Sequence, residues 1–241
     1  MASGGAIAVT GAARGIGAAI AHELARRGFV VGCLTRGARL PDGAPASMIA
    51  VDCDVGDDAS VHRAMDELAQ KAGGLRGLVN NSGIHKEGPS ATLDIQDFDD
   101  VMAINARAVF VGCRAAHPHL KANGGTIVNI GSFFDKLGVP ENVAYCTSKA
   151  AVGAITRCLA AEWGPQGIIV LNVGPGYIET DLNRDFLQNP KIASWLKRRV
   201  PLGRPGSLDE VARLVGMLFT EAIPYLTGET IYLDGGHGKA V

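Results

Sequence analysis

Two side chains that can exchange a proton stand four residues apart in the second half of the chain. Tyr145 and Lys149 have this spacing, and Ser132 precedes the tyrosine by thirteen residues. In a helix, a four-residue spacing places the phenol and the ammonium on one face, one turn apart. Because a neighbouring cation favours the phenolate, we expect the pKa of Tyr145 to fall from about 10 toward the range of a general acid or base. The arrangement suits proton exchange with a carbonyl or alcohol oxygen.

A glycine-rich turn near the start of the chain indicates a phosphate-binding site. Gly11, Gly15 and Gly17 follow the apolar run Ile7 to Val9, and an apolar helical pattern comes next. Gly11 permits a tight turn after a strand. Gly15 and Gly17 let the backbone approach a pyrophosphate at the positive end of the helix. The pattern differs from the usual Gly-x-Gly-x-x-Gly, and a turn without a ligand is the alternative.

The residues directly after the apolar run Val30 to Leu34, the second predicted strand, favour NADP over NAD. This strand is expected to end near the adenosine ribose, where enzymes that use NAD commonly place a carboxylate. The chain has Thr35 and Arg36 there. Thr35 is uncharged, whereas Arg36 and the nearby Arg14 carry guanidinium groups suited to a 2′-phosphate. We therefore expect NADP(H) as the cofactor, and the alternative is that Arg36 is a solvated loop residue.

Composition and charge argue against several classes of protein. The 241 residues are 47% hydrophobic and 20% charged, as expected for one globular domain over residues 1–241. The net charge of -1 gives no reason to expect nucleic acid or an anionic membrane as a partner. Five cysteines without a Cys-x-x-Cys pair predict neither disulfides nor a metal site. Apolar runs stay short of membrane-spanning length, so we expect a cytoplasmic protein.

Short apolar runs alternate with helical patterns along the chain. Strands that are apolar at nearly every position and separated by helices are typical of a parallel sheet covered on both faces. The sequence therefore predicts an α/β protein with a single-domain Rossmann fold, in which helices cover both faces of a doubly wound seven-stranded parallel sheet. The predicted strands are Ile7 to Val9, Val30 to Leu34, Met48 to Val51, Leu78 to Asn80, Thr126 to Ile130, Ile168 to Val173 and Thr230 to Leu233.

One long stretch, at about residues 177–205, contains no obvious strand. A segment of this length in a compact domain is typical of a functional lid. It follows the sixth predicted strand, and ligands bind at the carboxyl edge of such sheets. We therefore predict a substrate lid here. A capping box at Ser207 and Glu210 predicts that the last helix begins directly after it.

These motifs resemble those of the short-chain dehydrogenase/reductase family over nearly the whole chain. Residues 10–17 resemble the family's Thr-Gly-x-x-x-Gly-x-Gly, and residues 80–83 resemble its Asn-Asn-Ala-Gly. Residues 175–180 match its nicotinamide loop. The positions that match its catalytic tetrad are Asn105, Ser132, Tyr145 and Lys149.

The resemblance implies a role for each matching residue. Tyr145 would be the general acid or base, and Ser132 would hold the substrate oxygen. Lys149 would bind the nicotinamide ribose and lower the tyrosine pKa, while Asn105 would anchor a water that feeds a proton relay. Asp54 and Val55 would meet the adenine, and Ile178 and Thr180 would hold the carboxamide. The implied cofactor-binding residues are Gly11, Arg14, Gly15, Ile16, Gly17, Thr35, Arg36, Asp54, Val55, Asn81, Tyr145, Lys149, Pro175, Ile178 and Thr180.

The chain departs from the family pattern at several positions. Ser82 and Gly174 each replace an alanine. Leu171 stands where the family has an asparagine, and Asn172 comes one residue later. On a strand, a shift of one residue points the side chain to the opposite face. We therefore expect the support near the active site to differ from the family.

The resemblance implies an NADPH-dependent carbonyl reductase that runs reversibly as an alcohol dehydrogenase on small molecules. One alternative is a polyol or sugar-derived alcohol dehydrogenase. A second is a 3-oxoacyl reductase acting on acyl carrier protein. Family members with that activity hold the carrier protein with arginines at two positions, which are Thr126 and Gln166 in this chain. A third is a non-catalytic NADP-binding regulator, which the complete tetrad argues against.

Aromatic residues near the predicted site suit an apolar or ring-bearing substrate, with core packing as the alternative. They are Phe133 and Phe134 beside Ser132, and Phe186 and Trp195 in the predicted lid. Among the six histidines, we expect His85 at the edge of the pocket and the other five in the core or on the surface. The basic run at residues 197–199 is interpreted as a solvated helix face, with attraction of an anionic substrate as the alternative.

Two segments predict self-association. Asp97 to Leu120 and Tyr145 to Trp163 read as long helices that are apolar on more than one face. The family resemblance implies that these helices pair across a two-fold axis. We therefore expect a homotetramer, with a dimer as the alternative.

Overall fold

A computed structural model describes residues 5–180, 183–221 and 223–239 of the chain, apart from the side chains of Phe186 and Gln188. The prediction for the ring of Phe186 therefore lies outside the described residues.

Seven strands form within the described ranges, and they confirm the seven predicted ones. Their bounds are β1 Ala6–Thr10, β2 Val30–Thr35, β3 Met48–Asp52, β4 Leu75–Asn80, β5 Gly125–Ile130, β6 Ile168–Pro175 and β7 Thr230–Leu233. The α-helices are α1 Gly15–Arg26, α2 Asp58–Ala72, α3 Ile95–Met102, α4 Ala108–Leu120, α5 Val143–Trp163, α6 Arg184–Gln188, α7 Pro190–Arg199 and α8 Leu208–Thr220.

The strands form one parallel sheet in the order β3-β2-β1-β4-β5-β6-β7. From β1 the chain moves outward through β2 to β3, then crosses to β4 on the other side of β1. The carboxyl ends of β1 and β4 therefore flank the crevice where ligands bind in doubly wound sheets. The predicted fold class is confirmed.

Two layers of helix cover the sheet. On one face, α1 and α8 bury Ile20 and Val215 against Val9. On the other face, α2, α4 and α5 bury side chains such as Leu68 against Leu78. Each such side chain contributes roughly 1.5–3 kcal/mol through removal from water. The two apolar layers hold the carboxyl edge of the sheet in place, and the candidate site lies along that edge.

The connection between β2 and β3 departs from the alternation of strands and helices that the sequence predicts. Residues 36–47 form turns and loop rather than a helix. Pro41 and Pro45 lack a backbone N–H, and the residue before a proline avoids the helical region. Gly37 and Gly43 both have positive φ angles. These four residues keep the connection in turns and loop.

The predicted helix over residues 97–120 is divided by a π-helical stretch. Helix α3 ends at Met102, Ala103–Arg107 is π-helical, and α4 begins at Ala108. Such insertions are frequent at functional sites. Asn105 lies in the middle of this stretch and is fully buried.

The segment at residues 177–205 contains α6 and α7 and has a small apolar cluster of its own. Leu187, Leu196 and Val200 form this cluster. Its base is closed by two backbone hydrogen bonds, from Gly206 to the Tyr177 carbonyl at 2.8 Å and from Glu179 to the Gly206 carbonyl at 2.9 Å. Helix α8 then begins at the predicted capping box of Ser207 and Glu210. That this segment acts as a lid stays a prediction.

Candidate active site

Three of the predicted catalytic side chains meet at the carboxyl end of β5. Tyr145 and Lys149 share one face of α5, with the Lys149 Nζ 5.6 Å from the centre of the Tyr145 ring. Ser132 lies two residues beyond β5 and is buried. Its Oγ accepts a hydrogen bond from the Phe134 N–H at 3.2 Å. The helical spacing therefore brings the phenol and the ammonium together as predicted.

Burial dominates the ionisation of this pair. Desolvation raises the pKa of Tyr145 above its ordinary value of 10.0, and a side-chain hydrogen bond with Ser132 opposes the shift. Desolvation also lowers the pKa of Lys149 to about 8. The Lys149 Nζ donates to the Ile130 carbonyl at 2.8 Å. The expected fall in the pKa of Tyr145 is therefore not found, because loss of water around the phenol raises this pKa.

Asn105 fastens the loop after β4. Its Oδ1 accepts from the Ile84 N–H at 2.8 Å, and its Nδ2 donates to the Ile84 carbonyl at 2.8 Å. The Nδ2 also lies 3.2 Å from the Ser148 Oγ on α5. At Gly83, a Cβ would come 3.2 Å from the Asn105 Oδ1. The side chain therefore joins three elements of the site, and its implied role in holding a water stays a prediction.

The glycine-rich turn opens into a cleft of about 1050 Å³. Gly11 and Gly15 have φ angles of 66° and 56°, in the left-handed region that favours glycine. A Cβ at Gly15 would meet no atom within 4 Å, so this face of the turn is open. Helix α1 begins at Gly15, and its first N–H groups suit a phosphate. The predicted residues that line the cleft are Gly11, Arg14, Gly15, Ile16, Thr35, Arg36, Asp54, Val55, Asn81 and Thr180.

Three other predicted cofactor residues are buried or closely packed and are not among those that line the cleft. A Cβ at Gly17 would overlap the Gly11 carbonyl oxygen, so Gly17 allows α1 to pack closely on the turn. Pro175 ends β6 and is buried. Ile178 is 5% exposed and belongs to the apolar layer under α1 and α8. Direct contact of these three residues with a cofactor stays a prediction.

The adenosine end of the cleft contains an arginine that sequence reasoning missed. Arg39 lines the cleft beside Arg14 and Arg36. The Thr35 Oγ1 accepts from the Arg39 N–H at 2.7 Å and donates to the Arg39 carbonyl at 2.8 Å. The predicted threonine hydroxyl therefore holds the turn that presents these guanidinium groups. The sequence does contain a signal for Arg39: the connection after β2 has two prolines and no helical pattern, which keeps this arginine close to the strand end.

Aromatic rings surround the other side of the tyrosine pocket. Phe134 lies 6.0 Å from Tyr145 and 6.2 Å from Tyr177, centre to centre. Trp195 from α7 lies 5.7 Å from Tyr177. His237 also joins this cluster, 5.1 Å from Phe133, 5.8 Å from Tyr177 and 5.7 Å from Trp195. Sequence reasoning placed His237 with the surface or core histidines. Its place among these rings depends on the path of the chain after β7, for which the sequence has no local signal.

The departure at Leu171 and Asn172 changes how β6 supports Ser132. Leu171 lies in the apolar layer under α1 and α8, while Asn172 is fully buried on the opposite face. The Asn172 Nδ2 donates to the Thr230 Oγ1 at 3.1 Å. A Cβ at Gly131 would come 2.6 Å from the Asn172 Oδ1. The asparagine therefore requires glycine immediately before Ser132. That this support differs from the family's stays a prediction.

The described ranges contain neither a candidate metal cluster nor a membrane-spanning helix. Within those ranges, no three or more His, Cys, Asp or Glu side chains stand close enough to hold a metal ion. No helix among the described residues is long and apolar enough to cross a membrane.

Comparison with known proteins agrees with this geometry. Residues 11–237 match the family described as enoyl-(acyl carrier protein) reductase. D-threitol dehydrogenase of Mycolicibacterium smegmatis is 36% identical over 238 residues, which are 95% of this chain and 91% of that enzyme. The solved short-chain dehydrogenase/reductase of Serratia marcescens is 31% identical, with a TM-score of 0.87 over 97% of this chain and 98% of that one. The chain belongs to the short-chain dehydrogenase/reductase family.

A further solved relative carries a cofactor. The gluconate 5-dehydrogenase from Burkholderia cenocepacia, in complex with NADP and tartrate, is 31% identical with a TM-score of 0.92. The alignment covers all of this chain and 97% of that one. As a short-chain dehydrogenase/reductase, the protein is an oxidoreductase that acts on CH–OH groups and the corresponding carbonyls. The glycine turn, the open N-terminus of α1 and the arginines fit a nicotinamide dinucleotide.

Proposed function

We propose that this short-chain dehydrogenase/reductase is an NADP(H)-dependent ketone reductase that also oxidises secondary alcohols. The observation that carries the proposal is the meeting of Tyr145, Ser132 and Lys149 at the end of β5, next to a cleft with three arginines at its far end. The nicotinamide, when bound, supplies or accepts the hydride. The protein is left to align the two reactants and to move a proton.

Tyr145 is suited to give that proton in the direction of reduction. Its raised pKa keeps the phenol protonated at neutral pH. Ser132 hydrogen-bonds with Tyr145. In this proposal it holds the oxygen of the carbonyl group. Lys149 holds the nicotinamide ribose and carries positive charge below its pKa of about 8. Each group therefore has the protonation state that reduction needs at neutral pH.

The choice of NADP follows from the charge at the adenosine end. Arg14, Arg36 and Arg39 all line this end of the cleft. Arginine makes charge-assisted, often paired, hydrogen bonds to phosphate. Thr35 and Asp52 end the two strands there, and the Asp52 Oδ1 already accepts from the Gly37 N–H at 2.6 Å. The NADP complex of the solved gluconate 5-dehydrogenase supports the same choice.

The proposal is tested by following NADPH absorbance with a panel of ketones, keto esters and sugars. We expect oxidation of NADPH with at least one carbonyl class and a much slower rate with NADH. The Tyr145→Phe protein is the control, because it retains the cleft and loses the proton donor. Absence of carbonyl-dependent NADPH oxidation across the panel would contradict the proposal.

A second candidate function is oxidation of polyols or sugar-derived alcohols, which uses the same mechanism. The match to D-threitol dehydrogenase favours it. The panel separates the two, since a polyol enzyme would use sugars and polyols better than simple ketones. The acyl carrier protein reading has less support, because Thr126 is uncharged and the Gln166 Oε1 is already paired with the His117 ring at 2.8 Å.

We also propose a cytoplasmic homotetramer, built by pairing of α4 and α5 across two-fold axes. Support comes from small exposed residues at four-residue spacing on α5, Ala150, Ala154 and Cys158. A face of small side chains allows two helices to approach closely. Phe110 on α4 is 39% exposed and adds apolar surface.

A further inference from the structure

A polar pair lies against the catalytic tyrosine, on the loop after β4 and at the start of α5. The ring of His85 meets the Tyr145 ring edge-on, with centres 4.8 Å apart. The His85 Nε2 lies 2.5 Å from the Asn142 Oδ1. His85 is exposed, whereas Asn142 is 7% exposed. A histidine that touches the proton donor and faces solvent is in reach of a bound substrate.

The hydrogen bonds of Asn142 assign the proton on His85. The Asn142 Nδ2 donates to the Pro140 carbonyl at 2.9 Å. A reversed amide would place its oxygen against that carbonyl, so the Oδ1 must face the histidine ring. The Nε2 of the neutral ring is therefore the donor, and the Nδ1 is an acceptor. Among the described residues, no donor reaches that Nδ1.

Several contacts keep this acceptor in place. Asn142 stands at the N-cap of α5, yet its side chain makes no capping hydrogen bond and pairs with His85 instead. On the loop, Ile84 is held through both backbone groups by Asn105. Lys86 is held by Asp97 at 2.7 Å and by Asp100 at 2.6 Å. His85 thus lies between two anchored residues, as a preorganised binding group should.

The Tyr145 ring has two ring neighbours of different polarity, His85 and Phe134. Phe134 also contacts the Tyr145 ring, nearly at right angles. His85 lies on the loop after β4 and Phe134 follows β5, so the two rings approach the tyrosine from different elements. A carbonyl held at Ser132 and Tyr145 therefore has an apolar ring near one substituent and a hydrogen-bond acceptor near the other.

We propose that His85 is a specificity residue whose Nδ1 accepts a hydrogen bond from a hydroxyl on the carbon next to the reacting carbon. The preferred substrates are then α-hydroxy ketones and vicinal diols, with an apolar or ring-bearing group against Phe134. A carboxylate or second carbonyl in that position would face a lone pair instead of a donor. This inference rests on the proposed function.

The reaction remains that of the proposed function. In reduction, the carbonyl carbon receives the hydride of NADPH and the carbonyl oxygen receives the Tyr145 proton. The products are a vicinal diol and NADP⁺, and the phenolate regains a proton from water. His85 takes no part in electron or proton transfer, so its loss alters selection between substrates and spares the chemical step.

The experiment compares 2-hydroxyacetophenone with propiophenone, which carries a methyl group in place of the hydroxyl. In the His85→Phe protein, we expect kcat/KM for the hydroxy ketone to fall about tenfold, the effect of one lost hydrogen bond. Propiophenone reduction should fall by clearly less, so that the ratio of the two kcat/KM values drops. His85→Gln should retain part of the selectivity because its amide oxygen is an acceptor. His62→Phe, on α2, is the matched control.

Different failures point to different errors. An equal loss for both ketones in His85→Phe, or a wild-type protein that reduces ketones but rejects 2-hydroxyacetophenone, would overturn this inference and leave the proposed function standing. A wild-type protein that reduces no ketone with NADPH would overturn both. Full selectivity in His85→Phe, with a folded protein by circular dichroism, would also overturn the assignment of His85.

Discussion

At the scale of single residues, burial determines the charge of the two groups that handle the proton. The Lys149 ammonium is 5% exposed and donates to one carbonyl, so loss of solvation lowers its pKa to about 8. Loss of solvation raises the pKa of Tyr145 for the opposite reason, because the phenolate is the charged form. Both shifts favour the neutral side chain, so the phenol of Tyr145 is protonated at neutral pH and available as a donor.

The role of Tyr145 is tested by its replacement with phenylalanine. We expect Tyr145→Phe to lower kcat for ketone reduction by at least about 10²-fold, the scale of general acid catalysis, with NADPH affinity nearly unchanged. Steady-state kinetics and fluorescence titration measure the two effects. Tyr225→Phe is a matched control, since Tyr225 is 101% exposed. Retention of more than half the wild-type rate would refute the assignment.

The direction of the Tyr145 shift predicts opposite pH profiles for the two reactions. Alcohol oxidation needs the phenolate, so a raised pKa means that its kcat/KM should still be rising at about pH 9. Ketone reduction needs the phenol and should not increase over the same range. Initial rates in both directions between about pH 6 and 10 check this. An oxidation rate that levels off near pH 7 would show that a cation lowers the tyrosine pKa after all.

The lowered pKa of Lys149 also makes the stability of the fold depend on pH. Its pKa is about 8 in the folded protein, below the ordinary value of 10.5. Between these two values the unfolded chain binds more protons, so the contribution of this group to the free energy of unfolding rises with pH. The contribution is present above about pH 10.5 and is lost as the pH falls through about 8.

At the scale of elements, β5 and β6 fit together through one unusual pair. Asn172 and Gly131 face each other next to Ser132, and the Asn172 Oδ1 is buried with no hydrogen-bond partner among the described residues. A buried acceptor without a partner is unfavourable. The glycine provides the space for this side chain, so the two positions depend on each other.

A double-mutant cycle measures this dependence. Gly131→Ala should destabilise the protein by about 1–3 kcal/mol, because its Cβ would come 2.6 Å from the Asn172 Oδ1. Asn172→Ala removes that atom. The free energy of unfolding lost in the double variant should therefore be at least about 1 kcal/mol smaller than the sum of the losses in the two single variants. Urea unfolding followed by circular dichroism gives the three values, and simple additivity would contradict the coupling.

The connection between β2 and β3 is the second element with a consequence for function. Because it forms no helix, Arg36 and Arg39 both remain beside the end of β2, and the Thr35 hydroxyl holds the backbone of Arg39 there. The prolines in this connection thus contribute to the choice of cofactor. A helix in the same place would carry Arg39 away from the strand end.

Substitution in this connection should change the cofactor preference. Arg36→Ala and Arg39→Ala should each weaken binding of 2′,5′-ADP by about 10- to 150-fold, the range for charge-assisted hydrogen bonds. Thr35→Asp combined with Arg36→Ala should invert the preference, because it introduces repulsion toward the 2′-phosphate. Calorimetry and kcat/KM for NADPH and NADH measure these effects, with Arg63→Ala on α2 as the control. A wild type that prefers NADH would refute the reading.

At the scale of the whole molecule, the exposed faces of α4 and α5 are the surfaces on which assembly depends. Phe110 and Val143 are each 39% exposed. The stripe of Ala150, Ala154 and Cys158 runs along the exposed side of α5. Association would bury this surface, and apolar burial is the main favourable term in assembly.

Light scattering after size exclusion tests the proposed tetramer. The wild-type protein should have four times the mass of one chain at micromolar concentration. Ala154→Arg places a long charged side chain on the exposed stripe and should shift the protein to smaller species. Ala46→Arg, on the connection between β2 and β3, should leave the mass unchanged. A wild-type monomer would refute the proposal.

The seven strands, the glycine-rich turn and the Tyr145 and Lys149 pair follow from the sequence alone. Each rests on a regularity over a few residues, such as the period of a helix, the apolar run of a buried strand or a glycine at positive φ. Neighbouring residues in the chain are sufficient to produce these features. The capping box at Ser207 is predictable for the same reason.

Only the tertiary structure decides the features that join distant parts of the chain. His237 meets Phe133 across about a hundred residues of sequence, and Asn105 fastens Ile84 through a π-helical insertion without a sequence signal. The direction of the Tyr145 pKa shift belongs to the same class, because desolvation depends on every element packed around the phenol. Spacing along the chain brings Lys149 to Tyr145, and the surrounding fold determines how strongly the two groups interact.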